Sequence, residues 1–397
     1  MSRWDADVAV VGLGAWGAAA LWQLAARGVD VVGFERYHRP GHALGSSYGG
    51  SRMFRVTCLE HPGLVPLARR SLELWRGLES EAGRQLLFPA GGLLIGPEQG
   101  LVVGGTLRAA RTHGIEVRSM RPAELRERFP RHTGVPSHHR AVWEPSAGLL
   151  RAEDSLRAAA DLARRAGARV FTDSRVHAVE PVPGGVELQT SERVTRVRRV
   201  VITVGSWLRS LVDGLPLTTL RMPLTWFRPA APHGDAFDLE HFPVFMRETD
   251  EGPVLWGNGR EGGHDVKLGL EGYGPGARTL DADDDADRAV RPEDWTDIAR
   301  MLPGLLPGLT ELPAKIAVSL FTRTPDGQFV VGALDDDSRI VVGGGCNAHG
   351  FKHATGVGEA LADLATGRAP RVDLRFLSPD RFGRTAATTP VRMEGAL

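Results

Sequence analysis

Gly12, Gly14 and Gly17 form a Gly-x-Gly-x-x-Gly triplet, and a carboxylate follows at Glu35. Residues of these types at this spacing hold a dinucleotide. Gly12 permits a tight turn, Gly14 lets backbone approach a pyrophosphate, and Gly17 lets a helix pack close to a sheet. Glu35 lies 23 positions after Gly12, near the spacing at which an acid accepts a ribose hydroxyl. Alone, the triplet also fits a βα turn with no ligand, so its flanks decide. An apolar strand, Val8 to Val11, runs into it, and an Ala-rich helix to Arg27 and Gly28 leaves it. A second apolar strand ends on Glu35. The helix start then offers free N–H groups and a positive dipole end to phosphates.

A second set of candidates comes from composition. Of 48 basic residues only three are lysines, Lys267, Lys315 and Lys352. Arginine replaces lysine easily on a solvated face. A compact ammonium is harder to replace where a site needs a point charge or a perturbable pKa. The two cysteines, Cys58 and Cys346, argue against a disulfide scaffold.

The elements that must position these residues follow from periodicity and punctuation. After the first βαβ unit comes a Gly/Ser-rich loop, Arg36–Arg55, then an amphipathic helix over about 64–82 that Gly83 stops. Short apolar runs near 86–95 precede a helix around 102–113, a strand and a Pro/Arg-rich stretch. A helix is predicted over 152–167, with strands at 169–171, 176–182, 185–189 and 196–204, the last ending at Gly205 and Trp207. From 217 to 316 the pattern is strand-rich. The acidic stretch Asp281–Asp287 reads as a solvated loop or helix start, not a metal site. A strand at 339–342, a Gly loop at 343–345 and a helix from about 356 to 366 form another strand–loop–helix unit. Trp226, Phe227, Phe245 and Trp256 supply aromatic bulk, mostly as core, with one or two lining a pocket.

The bulk properties exclude several classes. With 397 residues there is room for two or three folding units. The formal charge is zero, which gives no reason to expect nucleic acid or an anionic membrane surface as partner. No apolar run approaches a membrane span, and the chain opens directly on its first βαβ unit. A soluble, cytoplasmic monomer or small homo-oligomer without a metal is expected.

Dinucleotide-type units at both ends with a strand-rich middle predict an interleaved two-domain flavoprotein of α/β plus α+β class. A Rossmann-type FAD-binding domain would span 1–83, 150–215 and 320–397. An antiparallel-sheet substrate domain would take 84–149 and 216–319. The C-terminal helix start would sit where negative charge develops on a flavin, which favours FAD over a nicotinamide.

Over essentially its full length the chain resembles the family of monomeric sarcosine oxidase and N-methyltryptophan oxidase, within the D-amino-acid-oxidase superfamily. The resemblance rests on Gly12–Glu35, GSSYGGSRMFR (Gly45–Arg55), HDVKLGL (His264–Leu270), TRTPDGQFVVG (Thr322–Gly332) and HGFKHATGVGE (His349–Glu359). It implies FAD-dependent oxidation of a C–N bond in a secondary amine or amino acid, with O2 as acceptor. The partners implied are a small-molecule amine and O2.

The resemblance also implies roles. Lys267 matches a lysine set against the flavin, where a cation stabilises developing superoxide; alone it also reads as a surface lysine. Arg55 and Lys352 match the pair that holds a substrate carboxylate, although Arg55 by itself equally suits an ordinary ion pair. His349 matches a histidine contacting flavin or substrate, with a structural histidine as the competing reading. Flavin contacts are implied at Gly12, Gly14, Gly17, Glu35, Arg36 and Ser46. They are implied further along at Arg52, Val176, Gly205, Trp207, Gly350 and Lys352. Lys315 matches nothing and reads as a surface residue.

The departures sharpen the expectation. Relatives attach FAD through a cysteine six positions before the Pro of a TPD motif. Here Ser319 stands there, and a hydroxyl supplies no thiolate, so FAD is expected to be non-covalent. Cys346 lies in the Gly loop and reads as a buried inert thiol. Phe321 stands where the sarcosine enzyme has a tyrosine, Glu271 and Tyr48 where it has histidines. The hydroxyl lost at Phe321 and the carboxylate gained at Glu271 argue against sarcosine as best substrate. Glu271 reads either as an acceptor for a second cationic or hydroxyl group, or as a solvent-exposed glutamate. Tyr48, Phe245, Met246, Trp256, Glu271 and Phe321 are the expected pocket residues, and a specialised-metabolism amine is one context. The alternatives are an amine dehydrogenase with another acceptor and a silent flavin-binding protein. A hydroxylating monooxygenase shares only the N-terminal fingerprint.

Overall fold

The computed structural model describes residues 4–249, 253–271, 280–283, 288–334 and 339–383. The strand Ala6–Val11 lies parallel to Val31–Phe34 on one side and to Val194–Ile202 on the other. The second of these is parallel in turn to Ile340–Gly344. Strands buried on both faces read as continuous apolar runs, and here the two faces have separate cores. Val8, Val10, Val31, Val201 and Val341 pack under helices. Ala9, Val11, Val32, Ile202 and Val342 pack with Val186, Leu188, Leu208 and Leu215.

The helix Ala15–Ala26 is buried at every residue from Trp16 to Ala25, as an apolar all-round helix must be. Its alanines allow close packing against Ala354–Ala365. A Cβ on Gly358 would come within 2.5 Å of Ala19 Cβ. The helix Leu64–Ala82 matches its predicted span and stops at Gly83, whose φ of 65° is left-handed.

A second sheet runs in the order Lys315–Arg323, Thr218–Phe227, Val266–Glu271, Val254–Asn258 and Val244–Arg247. It continues with Gly92–Pro97, His139–Glu144 and Arg118–Met120. It is antiparallel except where Val244–Arg247 meets Gly92–Ile95 in parallel register. That junction joins two chain segments far apart in sequence. One face buries Phe227, Phe242, Phe245, Val266 and Leu268; the other closes over a cavity. The fold is therefore the interleaved α/β plus α+β architecture expected, with a single parallel pair inside the second sheet.

Two helices depart from the sequence reading. Pro122–Arg128 forms in the Pro/Arg-rich stretch, with Pro at its start and Glu124 accepting the Arg121 N–H at 3.0 Å. Thr296–Leu305 interrupts the strand-rich segment and buries Ile298 and Leu302 against the second sheet, a helical i, i+4 spacing. Of the acidic stretch 281–287, residues 284–287 lie outside the described residues.

Candidate active site

Both sheets contribute to one continuous cavity. At one end are Gly12, Gly14, Glu35, Val176 and Trp207; at the other are Arg55, Glu271, His349 and Lys352. Gly12 takes φ of +85°, and a Cβ there would come within 2.8 Å of Thr203 O. A Cβ on Gly17 would fall 1.9 Å from Gly12 O, so the helix start seats directly on the turn. A Cβ on Gly14 would meet nothing within 4 Å, and Gly14 lines the cavity. The space over the helix start is open where a pyrophosphate would lie.

Glu35 is 4% exposed. Its Oε2 accepts the Leu13 N–H at 3.0 Å and its Oε1 the Tyr37 N–H at 3.1 Å. Burial outweighs these bonds and pushes its carboxyl up to about 7. His42 Nε2 lies 3.5 Å away. Burial pulls that ring down to about 4, so between these values the contact joins two neutral groups and is no ion pair.

Beyond Glu35, three donors from separate elements meet on Asp283. Arg36 Nη1 donates at 2.5 Å, Trp207 Nε1 at 2.7 Å and Arg175 Nη2 at 3.1 Å. Arg36 also lies over the Tyr37 and Trp207 rings. The acidic stretch thus reaches the dinucleotide end of the cavity through Asp283, a contact the reading of a solvated loop does not include.

Lys267 comes from the face of Val266–Glu271 opposite Val266 and Leu268, and is 2% exposed. Its ammonium donates to Gly49 O at 2.9 Å and Ser51 O at 2.8 Å. Arg52 lies half-buried beside it, donating to the carbonyls of Ser46, Tyr48 and Ser51 at 2.7 to 2.8 Å. Burial, then Arg52 and Lys315, draw the Lys267 ammonium well below its ordinary pKa, against the pull of Glu153. Lys315 is exposed, as expected, and lies over the Trp226 and Tyr48 rings.

At the far end Arg55 donates to Thr57 O and, at 2.5 Å, to Glu60 Oε1. Lys352 Nζ reaches the same oxygen at 3.1 Å and His349 O at 3.2 Å. Burial would raise the Glu60 carboxyl, but Arg55 and Lys352 hold it well below the usual range. His349 packs on Phe329 and sets Nε2 3.4 Å from Gly327 O. Burial draws its ring down to about 4, so it is neutral at neutral pH. Glu271 lines this end of the cavity. Burial first, then Glu60, raises its carboxyl.

The cavity also brings in Ser46, Arg52, Gly205, Met246, Trp256, Phe321 and Gly350. Ser319 lines it and donates to Gly45 O at 3.0 Å, and Cys346 lies in its wall, half-buried. Two expected pocket residues are elsewhere. Phe245 is wholly buried against Phe242 and His132, because along a strand it faces opposite to Met246. Tyr48 sits outside the cavity wall and contributes its carbonyl to Arg52. Cys58 is buried beside His353, its thiol pushed up to about 12 by burial. Sequence reasoning missed Glu60, Glu153 and His42. None carries a motif, and Glu153 reads only as a first-turn acid.

A family model for FAD dependent oxidoreductases (DAO) matches residues 7–364. The chain belongs to this family. This flavoenzyme is 33% identical to the monomeric sarcosine oxidase of Streptomyces avermitilis, over 96% of its own length and 99% of the relative's. It is 29% identical to the N-methyl-L-tryptophan oxidase of Yersinia pestis, over 95% of its length and 100% of the relative's. Among solved structures it superimposes on NikD, described as an unusual amino acid oxidase essential for nikkomycin biosynthesis. The TM-score is 0.82 at 25% identity, covering 94% of this chain and 97% of that one. The flavoenzyme's residues fit FAD: an open helix start at Gly14, a carboxylate at Glu35, and one cavity running from these to the cations. Among the described residues no group of three or more His, Cys, Asp or Glu is arranged to hold a metal ion. No helix among them is long and apolar enough to cross a membrane.

Proposed function

We propose that this flavoenzyme oxidises the C–N bond of a carboxylate-bearing secondary amine or amino acid and passes the electrons to O2. The observation that carries this reading is the meeting of Lys267, Arg55 and Lys352 in the cavity that opens over Gly14. FAD, when bound, would supply the redox chemistry, as acceptor of a hydride from the amine-bearing carbon and donor of two electrons, with two protons, to O2, so that the products would be an imine and H2O2.

Arg55 and Lys352 grip the substrate carboxylate as a fork and a point charge. His349, neutral, contributes a hydrogen bond and no charge. Met246, Trp256 and Phe321 enclose the apolar body of the substrate, and Glu271 bears on its polar groups. The phenyl ring of Phe321 and the acid of Glu271 suit a substrate larger than sarcosine. Lys267 places a positive charge in a water-poor site where charge develops on O2. Glu35 engages the ribose; Arg36, Val176 and Trp207 enclose the adenine end. FAD is held without a covalent bond, since Ser319 offers no thiolate.

Anaerobic titration of the FAD-loaded enzyme with a panel of N-methyl amino acids and cyclic imino acids tests this. Members of the panel are expected to bleach the flavin, and their methyl esters to do so far less well. Bleaching by no member, or equally by the esters, overturns the assignment. Mixing the reduced enzyme with oxygenated buffer then tests O2 as the acceptor: slow reoxidation would point to a dehydrogenase.

A further inference from the structure

The peptide joining Gly49 to Gly50 lies between a cation and an anion. Its carbonyl, Gly49 O, accepts from Lys267 Nζ at 2.9 Å. Its N–H, on Gly50, donates to both oxygens of Glu153, at 3.1 and 3.0 Å. The Gly49 N–H adds a third bond to Glu153 Oε1 at 2.8 Å. Glu153 stands in the first turn of the helix Ala152–Arg165, and Ala152 N–H donates to Gly50 O at 2.8 Å, so the helix start and the loop are tied together. Only glycine suits this loop. Gly49 has φ of +106°, and a Cβ there would come within 2.6 Å of Leu224 Cδ1 and 3.3 Å of Lys267 Nζ.

The groups facing Lys267 make this arrangement matter. Arg52 approaches from the strand Ser51–Phe54 and Lys315 from Lys315–Arg323; both are cations that disfavour its charge. Trp226 presents a ring face 5.6 Å from the ammonium, and Tyr48 lies behind Lys315. Glu153 is the anion that opposes burial and the two cations. A peptide with an ammonium at its oxygen and a carboxylate at its N–H is polarised in the same sense by both. Each hydrogen bond therefore strengthens the other.

We infer that Glu153 is a positioning residue that keeps Lys267 protonated and fixed, acting through the Gly49–Gly50 peptide. Its catalytic consequence rests on the reading of Lys267 as the oxygen-side cation; its effect on protonation does not. Without the carboxylate, Lys267 faces Arg52 and Lys315 with only carbonyls and an aromatic face to hold its charge. It then loses its proton at lower pH.

The chain's three lysines make a direct test practical. Enzyme labelled with ¹³C at lysine Cε, with and without FAD, gives one signal per lysine, and Lys267→Met assigns one of them. The midpoint of the Lys267 signal is expected to fall by about one pH unit or more in Glu153→Gln, a tenfold loss of proton affinity. Glu153→Asp, which keeps the charge, is expected to restore most of it. In the FAD-loaded Glu153→Gln enzyme, reoxidation by O2 should slow as pH rises past the new midpoint, while anaerobic reduction keeps its wild-type profile. Equal Lys267 midpoints in wild type and Glu153→Gln overturn the inference. So does failure of both Glu153 variants to fold, which would make the carboxylate a part of the fold alone. If Lys267→Met reoxidises like wild type, the oxygen-side reading fails while the titration still decides the role of Glu153.

Discussion

Lys352 and Arg55 share one oxygen of Glu60, at 3.1 and 2.5 Å. The second oxygen, Oε2, is buried without a hydrogen-bond partner. Two buried cations therefore stand preassembled on a single carboxylate oxygen. Glu60 offsets part of their charge, and Glu271 faces the same pair. In the proposed role as a carboxylate clamp, the pair would be oriented before substrate arrives and would need little reorganisation to accept a second carboxylate.

Opposite changes at this cluster should have opposite effects. Lys352→Met removes one of the two cations and leaves Arg55 paired with Glu60. KM for carboxylate substrates should rise by roughly ten- to a hundredfold, the value of a charge-assisted hydrogen bond. Glu60→Gln leaves two cations without their anion. Small carboxylate inhibitors should bind more tightly, and the ligand-free variant should melt at a lower temperature because buried charge is uncompensated. Inhibitor Kd and thermal melts with and without inhibitor measure both. A Glu60→Gln variant that binds carboxylates more weakly would refute the clamp.

Lys267→Met tests the other end of the reaction. Removing a preorganised cation from a site where charge develops costs roughly a hundredfold or more in rate. The loss should fall on reoxidation by O2, with anaerobic reduction by substrate changed far less. Single-turnover kinetics of each half-reaction separate the two, and equal losses would mean that Lys267 supports the pocket's structure instead.

The parts of this site that were legible in sequence share a local cause. Gly12 to Glu35 is a contiguous unit whose glycine spacing and strand–helix–strand order carry the dinucleotide reading without long-range information. Lys267 and Lys352 stood out because lysine is scarce here. Glu60 and Lys352 are 292 positions apart, and only folding brings Glu153 to Gly49 and Gly50. No periodicity signals such pairs. Phe245 and Met246 show a subtler limit: adjacent strand residues face opposite sides, so one belongs to the core and the other to the cavity. Choosing between them requires the strand's orientation. The helix Thr296–Leu305 was readable from Ile298 and Leu302, but its strand-rich surroundings masked the pattern.

Ser319 predicts how the cofactor leaves the protein. Its hydroxyl lines the cavity and is committed to Gly45 O at 3.0 Å, and a serine cannot form the thioether that a thiolate forms. Acid precipitation of the holoenzyme should release the yellow colour to the supernatant; colour retained on the pellet would contradict this. Under the proposed untethered binding, affinity would depend on the turn at Gly12 and the open helix start at Gly14. Gly14→Val fills that opening, and the purified variant should be colourless apoprotein with near-native secondary structure by circular dichroism.

Glu35 gives the flavin-free protein a pH dependence whose sign can be worked out. Burial raises its carboxyl from 4.5 to about 7 in the folded chain, while the unfolded chain keeps the ordinary value. The folded form therefore holds this proton more tightly than the unfolded form does. Its contribution to stability is fully present below about pH 4.5 and is lost as pH rises through about 7. His42 acts in the opposite sense, because burial lowers its ring from 6.5 to about 4 and its contribution to stability grows as pH rises over much of the same range, so the Glu35 effect is read as a difference between wild type and a variant. The side chain is almost wholly buried, so solvent screening takes little from the shift, which corresponds to roughly 3 kcal/mol. Urea unfolding of the apoprotein at pH 5, 6, 7 and 8, run beside Glu35→Gln, isolates the Glu35 contribution from the opposing histidines. Glu35→Gln keeps an acceptor for the Leu13 N–H but cannot ionise, so the wild-type midpoint should fall relative to that of the variant as pH rises from 5 to 8. Parallel curves for the two proteins would mean that Glu35 ionises near its ordinary value, with water reaching it from the open cavity.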